Sequence, residues 1–163
     1  MIERTLVLVK PDGVSRALVG EVISRFEKRG LKIIGMKMIW PDKEFAMKHY
    51  TDDISKRHGE HIRELLLNFI VQSPVVSFVI EGVNAVEVVR KIAGSTYPSD
   101  APLGTIRGDY AHVSKGYADD KKVAVANIVH ASGSLEEAKL EVDLWFSDSE
   151  LFEYELANEK HMR

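Results

Sequence analysis

The hydrophobic positions of this chain repeat with two different periods. Residues 6–9 are all apolar, whereas the stretch around Met36 and Met38 alternates apolar and polar side chains. Continuous runs are typical of strands that are buried on both faces, and alternating runs of strands that are buried on one face. Four such runs predict four strands, at residues 5–9, 32–40, 75–80 and 127–131.

Other stretches repeat every three to four residues, as the buried face of a helix does. Two capping boxes predict where a helix begins, because Asn84 is followed by Glu87 and Ser134 by Glu137, each at a spacing of three residues. The predicted helices span residues 18–29, 42–50, 60–70, 84–94 and a segment that follows Ser134.

The order of these elements predicts the fold class. It is that of an α+β protein with the ferredoxin-like double βαβ architecture, in which helices cover one face of a four-stranded antiparallel sheet. We find no internal repeat and no interdomain linker, so we expect a single domain over residues 1–163. Residues 95–109 and 110–126 are long for loops, and residues 153–163 form an acidic C-terminal tail.

Composition narrows the available chemistry. The 163 residues include 22 Lys and Arg against 25 Asp and Glu, so no overall positive field attracts nucleic acid or anionic lipid. The absence of cysteine excludes thiol nucleophiles and cysteine-based metal sites. The apolar run at residues 6–9 is too short for a signal peptide or a membrane span. We therefore expect a cytoplasmic protein that requires neither nucleic acid nor a membrane.

Phosphate binding, if present, must use side chains. The chain contains neither a P-loop motif nor the glycine-rich dinucleotide fingerprint. Lys10, Arg90, Thr96 and Arg107 can all donate hydrogen bonds to phosphate oxygens. Taken singly, however, residues of these types are usually solvated surface groups.

His130 is distinctive among the six histidines because it lies in a short apolar run directly before a predicted helix. A lone histidine in such a place is more often a hydrogen-bonded structural residue than a catalyst. Glu141, eleven residues further on, can fold back to orient one ring nitrogen and leave the other as a nucleophile. Spacing alone favours instead a solvated glutamate at this position.

Three motifs occur in order along the chain: KPDGV at residues 10–14, TIRGD at 105–109 and NIVHAS at 127–132. With these motifs, the chain resembles the nucleoside diphosphate kinases from Arg4 to about Phe152. The resemblance implies transfer of the γ-phosphate of a nucleoside triphosphate, typically ATP, to a nucleoside diphosphate. It implies a ping-pong route through a phosphohistidine, with Mg²⁺ on the nucleotide, that balances nucleotide pools. It also implies a homo-oligomer, with a hexamer expected ahead of a tetramer or a dimer.

The resemblance assigns roles to individual residues. His130 is the nucleophile, and Lys10 and Glu141 join it in the catalytic set. An imidazole with an ordinary pKa of about 6.5 is largely neutral near pH 7 and attacks phosphorus without a separate base. Ser132 matches a residue that lies behind the histidine. Residues that hold the phosphates and sugar of the nucleotide, or support the histidine, are Lys10, Tyr50, Arg90, Thr96, Arg107 and Asn127.

The turn after His130 departs from the pattern of the family. The usual Gly-Ser-Asp is Ala131-Ser132-Gly133 here, so we expect the carboxylate that normally steadies this turn to be absent. The segment between Asp109 and Asn127 is also longer than usual. Neither the nucleophile nor its orienting residue is lost, so catalysis remains the expectation.

The base-binding region departs from the pattern as well. The chain carries extra residues before Pro74, and the aromatic residue expected to stack on the base is missing. Counting back from Pro74 places Ile62 and Leu66 at the base-contacting positions. His58 or His61 is an alternative.

Other functions stay open at this stage. One is a non-catalytic ferredoxin-like module that binds a nucleotide as a regulatory subunit, since a shared fold does not prove activity. An RNA-recognition module fits less well, because the strands lack paired aromatic residues. A purely structural oligomer leaves the set Lys10, Arg107, His130 and Glu141 without a role.

Overall fold

A computed structural model describes residues 1–162 of the chain. At its centre is an antiparallel sheet with the strand order β2-β3-β1-β4. The strands are β1 (Ile2–Val9), β2 (Lys32–Ile39), β3 (Val75–Val83) and β4 (Val129–Ala131). The predicted ferredoxin-like α+β class is confirmed. β1 and β3 are each three residues longer than predicted, because they pair with each other along their whole length, from Ile2 opposite Val83 to Val9 opposite Val76.

Nine α-helices and three short 3₁₀ segments, at Pro98–Asp100, Asp148–Glu150 and Glu159–His161, connect the strands within residues 1–162. The helices are α1 (Pro11–Ser15), α2 (Val19–Glu27), α3 (Lys43–His49), α4 (Asp52–His58), α5 (Glu60–Ile70), α6 (Ala85–Ala93), α7 (Ile106–Tyr110), α8 (Lys115–Lys121) and α9 (Leu135–Trp145). The sequence pattern missed α1, α4, α7 and α8. Each has five to seven residues, too few turns to show a helical period.

The helices cover both faces of the sheet, so the expectation of a single covered face is wrong. Alternate side chains of β1 explain the arrangement. Val7 and Val9 belong to a core that is closed by α2 and α6, whereas Leu6 and Leu8 belong to a second core that is closed by α3, α5 and α9. A strand buried on both faces carries a continuous apolar run, as β1 does.

The two predicted capping boxes have different outcomes. Ser134 caps α9, and its Oγ accepts a hydrogen bond from the amide of Glu137 at 3.2 Å. The capping box predicted at Asn84 is wrong, because this residue has a left-handed backbone with φ of 50° and its side chain makes no capping hydrogen bond. Glu3 of β1 caps α6 instead, through a 3.1 Å hydrogen bond from the amide of Val86.

The C-terminal segment belongs to the fold. The amide of Phe152 donates to the carbonyl of Ile34 at 2.8 Å, and the hydroxyl of Tyr154 donates to the carbonyl of Ile33 at 2.6 Å. Lys32 Nζ reaches the carbonyl of Tyr154 at 2.9 Å. This part of the chain therefore covers one end of the outer edge of β2. Within residues 1–162, no helix combines the length and the hydropathy needed to cross a bilayer.

Candidate active site

His130 lies in β4, opposite Leu8 of β1, and its ring faces α9. The Nε2 atom is 2.8 Å from Oε1 and 3.0 Å from Oε2 of Glu141. No residue between 1 and 162 forms a hydrogen bond with Nδ1, and the side chain is 20% exposed. Since an ionised carboxylate only accepts hydrogen bonds, Nε2 carries the proton and Nδ1 keeps a lone pair. The site thus presents one unengaged basic nitrogen.

Glu141 is buried on α9 and binds more than the histidine. Its Oε2 accepts a 2.6 Å hydrogen bond from Oγ of Ser132, and the amide of Leu6 in turn donates to that Oγ at 3.3 Å. Burial by itself raises the pKa of Glu141. The interactions with His130, His49 and Ser132 outweigh burial and hold the pKa below its ordinary value. The carboxylate is therefore ionised and anchors His130 to both α9 and β1.

Behind Glu141 lies a histidine that sequence reasoning missed. His49, at the end of α3, is buried, and its Nδ1 is 3.5 Å from Oε1 of Glu141. The same Nδ1 accepts a 3.3 Å hydrogen bond from the indole N–H of Trp145. Burial, with a smaller contribution from His130, lowers the pKa of His49 to about 3, so the ring is neutral. Neither periodicity nor spacing links position 49 to position 130, and this explains the omission.

Lys10 lies at the end of β1 and is almost fully buried, which is unusual for this residue type. Its Nζ donates to the carbonyl of Val125 at 3.2 Å and lies 4.9 Å from the centre of the Phe69 ring. Burial lowers the pKa of Lys10 to about 8, Asp12 opposes this change and Arg107 adds to it. The ammonium group is charged at neutral pH without a carboxylate bound to it.

Arg107, in α7, is held by three carbonyl oxygens rather than by a carboxylate. Nη1 donates to Gly94 at 2.8 Å, Nη2 to Val129 at 2.8 Å and Nε to Asn127 at 3.3 Å. Burial lowers its pKa to about 10, and the charge of Arg90 acts in the same direction. Arg90 itself is exposed on α6. Two guanidinium groups thus lie close together beside the strand of His130, where an anion would be favoured.

Asn127 and Thr96 are joined by a hydrogen bond from Nδ2 of the asparagine to the threonine carbonyl, at 2.7 Å. The Oδ1 atom of Asn127 is buried and has no hydrogen-bond partner among residues 1–162. A buried acceptor without a partner is rare in folded proteins.

Asp12 is a second residue that sequence reasoning left without a role. Its Oδ2 accepts a 2.9 Å hydrogen bond from the amide of Ile128. Ile128 has a φ of 70°, a region that β-branched residues rarely occupy. The residue two positions before His130 is therefore held in a strained conformation by a carboxylate from α1.

Tyr50 is buried beside His49, with ring centroids 4.6 Å apart, and burial raises its pKa. The buried side chain of Arg63 donates to the carbonyl of Tyr50 at 2.8 Å and so ties α5 to this region. Ile62 and Leu66 are half-buried on α5, and Leu66 packs against the second core. The structure therefore places Tyr50 next to the His130 cluster, while Leu66 also serves the core.

Position 133 carries no carboxylate, as the sequence predicts, but a carboxylate from another residue reaches this turn. The amide of Gly133 donates to Oε2 of Glu137 at 2.6 Å, so α9 supplies the group that position 133 does not carry. The longer segment at residues 110–126 also differs from the predicted loop, since it contains α8, with Ala118 buried. Its carbonyl at Val125 contacts Lys10.

Comparisons with known proteins identify the family. The family model described as nucleoside diphosphate kinase matches residues 3–151. A nucleoside diphosphate kinase of Pyrococcus furiosus is 52% identical over 153 residues, which are 94% of this chain and 88% of the relative. One from Borreliella burgdorferi is 46% identical over 160 residues, covering 98% and 96% of the two chains.

Solved structures give the same result. A transition-state mimic of the Borrelia burgdorferi enzyme with bound vanadate and ADP superposes with a TM-score of 0.97 at 45% identity, covering 99% of this chain and 96% of that one. The Halobacterium salinarum enzyme in complex with CDP gives 0.84 at 35% identity, covering 100% and 99%. The fold and these relatives define a nucleotide-dependent phosphotransferase. The chain belongs to the nucleoside diphosphate kinase family, and its activity is transfer of a phosphoryl group from a nucleoside triphosphate to a nucleoside diphosphate.

Proposed function

We propose that His130 carries the phosphoryl group between the two nucleotides in a ping-pong reaction. The observation that supports this role is that the two ring nitrogens have different surroundings. Nε2 is bound by Glu141, whereas Nδ1 is unengaged. In the first half-reaction, the Nδ1 lone pair forms a bond to the γ-phosphorus, and the bond from phosphorus to the β–γ bridging oxygen breaks. The nucleoside diphosphate then leaves with that oxygen.

Proton balance favours the same assignment. Since Nε2 already carries the proton that it donates to Glu141, attack by Nδ1 releases no proton and requires no separate base. In the second half-reaction, a terminal oxygen of the incoming diphosphate bonds to phosphorus while the bond between nitrogen and phosphorus breaks. The imidazole returns to its starting form. Both directions use the same groups, as a reversible exchange requires.

The cations beside the strand of His130 bind the phosphates in this proposal. Lys10, Arg90 and Arg107 stabilise negative charge that spreads over the phosphoryl oxygens in the transition state, and Thr96 contributes a hydroxyl. Arg107 has fixed geometry because three carbonyls hold it, whereas Arg90 is exposed and meets the ligand. Asn127 supports these groups, because its side-chain amide donates to the carbonyl of Thr96 and its own carbonyl accepts from Arg107.

The base contacts fall to α5 in this proposal. Ile62 and Leu66 on α5 offer half-buried apolar surface rather than an aromatic platform. Such contacts discriminate poorly among bases. We therefore propose that ADP, GDP, CDP and UDP are all accepted with modest differences.

Magnesium enters on the nucleotide in this proposal and neutralises charge on its phosphates. Within residues 1–162, the one cluster of three or more metal-ligating side chains is His49, His130 and Glu141. Mg²⁺ prefers oxygen ligands and keeps several waters. Two imidazoles, one of them buried, with a carboxylate that already binds two side chains do not suit it. The chain's own contribution is the set of cations that bind the remaining phosphate charge.

We also propose that the protein forms a homo-oligomer, with a hexamer as the expected size. The supporting observation is the outer edge of β2, where Met36 and Met38 are 57% and 60% exposed and Trp40 is 65% exposed. An open edge strand with large apolar side chains is a surface that another chain can cover. Sedimentation of the protein and of Met38→Lys tests this, and an unchanged oligomer in the variant would assign the contact elsewhere.

Two further statements complete the proposal. Both cores include side chains of β1, β2 and β3, so we propose that residues 1–163 form one domain. The nucleoside triphosphates that this activity consumes are intracellular, so we propose a cytoplasmic location, which cell fractionation can test.

The experiment that tests the catalytic assignment uses ATP, Mg²⁺ and GDP. The expected products are GTP and an acid-labile phosphoprotein, with the phosphate on His130 after peptide mapping at alkaline pH. His130→Asn should abolish both products, while the matched variant His161→Asn, at an exposed histidine near the C-terminus, should retain both. Phosphoprotein that persists in His130→Asn would exclude His130 as the carrier.

A further inference from the structure

The segment after His130 is fastened to α9 at two successive points. Glu141 accepts from Ser132 Oγ at 2.6 Å, and Glu137 accepts from the Gly133 amide at 2.6 Å. The two glutamates are four residues apart and therefore lie on the same face of the helix. Two carboxylates at this spacing repel each other. Each of them accepts a hydrogen bond from the segment after His130, which offsets that repulsion.

The contact made by Glu137 differs from ordinary helix capping. In a capping box, the glutamate at the third helical position returns to the amide of the capping residue. Here Ser134 is the capping residue, and it accepts from the Glu137 amide at 3.2 Å. The Glu137 side chain extends one residue further back, to Gly133. It therefore restrains the turn that leads out of β4 rather than the first turn of the helix alone.

Position 133 and position 137 are sterically coupled. A Cβ atom at position 133 would collide with Oε2 of Glu137, and a terminal side-chain atom is one that can move aside. Any side chain at position 133 therefore requires the Glu137 carboxylate to leave its present position. Glycine leaves the amide of the turn accessible to the helix.

We propose that Glu137 is a positioning residue for His130, and that it provides from α9 the carboxylate that steadies the turn after the histidine. Only two residues separate His130 from Gly133, and Ser132 between them is buried and bound to Glu141. A loose amide at 133 allows Ser132 to shift, and Glu141 and the ring of His130 shift with it. Misplacement of a reacting group by about 1 Å costs about a hundredfold in rate, so a smaller shift has a measurable effect.

The proposal rests on the proposed role of His130, and the experiment separates the two. The measured quantity is the single-turnover rate at which ATP phosphorylates His130, together with the affinity for ATP and the thermal midpoint of each variant. Glu137→Ala should lower the rate about tenfold and change the affinity by less than about twofold. Glu137→Gln retains an oxygen that can accept from the amide and should stay close to the parent rate.

A matched control and a rescue sharpen the result. Glu136→Ala removes an exposed carboxylate from the same turn of α9 and should leave the rate unchanged. In the background of Gly133→Asp, the new side chain brings its own carboxylate to the turn, so adding Glu137→Ala should cost less than about twofold. A role limited to helix stability would lower the thermal midpoint without changing the rate, and would show no such rescue.

The outcomes are distinct. A parent rate in Glu137→Ala, or an equal loss with and without Gly133→Asp, overturns the proposal. Absence of phosphate on His130 in the parent protein overturns the proposed function instead. If Glu137→Ala does not fold, Glu137→Asp provides the same test, because its carboxylate is one methylene too short to reach the amide. A parent rate in that variant likewise overturns the proposal.

Discussion

His49 lies edge-on to His130, with the ring centroids 4.7 Å apart and the ring planes at 85°. One histidine is buried and neutral, and the other presents an unengaged nitrogen at the surface of the site. Since both rings contact Glu141, the position of the surface ring depends on a residue that has no access to substrate.

Replacing His49 tests this dependence. His49→Phe preserves the ring shape but leaves the Trp145 indole N–H without an acceptor, which costs about 1–3 kcal/mol when buried. We expect the free energy of unfolding to fall by that amount and kcat to fall about tenfold, with the KM for nucleotide unchanged. Urea denaturation and steady-state kinetics measure these effects. His161→Phe is the exposed control, and equal kcat losses in both variants would argue against a specific contact.

Glu141 should orient the ring of His130 without transferring a proton. Glu141→Gln keeps the shape of the side chain but loses the charge that fixes the proton on Nε2. We expect the rate of His130 phosphorylation to fall by about ten- to a hundredfold, as for other residues that orient a histidine. Asp143→Asn, on an exposed position of the same helix, should have the parent rate. Rapid-quench labelling measures both, and a parent rate in Glu141→Gln would refute the orienting role.

The pKa of Lys10, lowered to about 8, predicts a pH dependence of nucleotide binding. Below pH 8 the ammonium group is charged and attracts phosphate, so affinity for ADP should be level there. Above pH 8 the group loses its proton, so the affinity for ADP should fall, by at most about tenfold for each further pH unit. Calorimetric titrations from pH 7 to 10 measure this. In Lys10→Arg the guanidinium stays charged, and a fall of the same steepness in that variant would assign the effect to another group.

Asp12 should stabilise the strained backbone before His130. In Asp12→Ala, the Ile128 amide loses its 2.9 Å acceptor, while the unfavourable φ remains. We expect the free energy of unfolding to fall by about 1–3 kcal/mol. Asp119→Ala, which removes an exposed carboxylate of α8, should stay within about 0.5 kcal/mol of the parent. Chemical denaturation measures both, and equal stabilities of the two variants would contradict a supporting role.

The segment that contains α8 should affect access rather than chemistry. Replacing residues 114–122 by a Gly-Ser bridge leaves Arg107 joined to Asn127 and Val129, so the strand of His130 stays in place. We expect His130 phosphorylation and the oligomer to persist, with a changed apparent nucleotide affinity. Sedimentation and labelling measure this. A shortened protein that dissociates would show that the segment is an assembly element.

Long periodic elements could be predicted from the sequence, because a face repeated over several turns or a run of alternating residues is a strong signal. The alternating strand β2 and helix α9 are predicted in this way. Short helices such as α4 and α8 could not be found, since their stability depends on tertiary contacts. The same holds for caps. Asn84 is of a residue type that caps helices, but Glu3 of the neighbouring strand caps α6 in its place. Only the folded chain shows this replacement.

The residues of the candidate site also differ in whether the sequence could identify them. Lys10, Arg107 and His130 occur in recognisable motifs, so the sequence could single them out. His49 and Trp145 are 96 residues apart and meet only because α3 and α9 pack on the same face of the sheet. No local pattern contains that information.

The segment that covers one end of the outer edge of β2 is synthesised long after that strand. Tyr154 emerges from the ribosome 121 residues after Ile33, the residue whose carbonyl it covers. At ordinary elongation rates, this interval lasts roughly 6 to 24 seconds. Throughout that time, the carbonyls of Ile33 and Ile34 at one end of this strand edge lack the partners that Tyr154 and Phe152 later provide. Translation pauses in this interval prolong the exposure, and a chain that ends before residue 152 never makes these contacts.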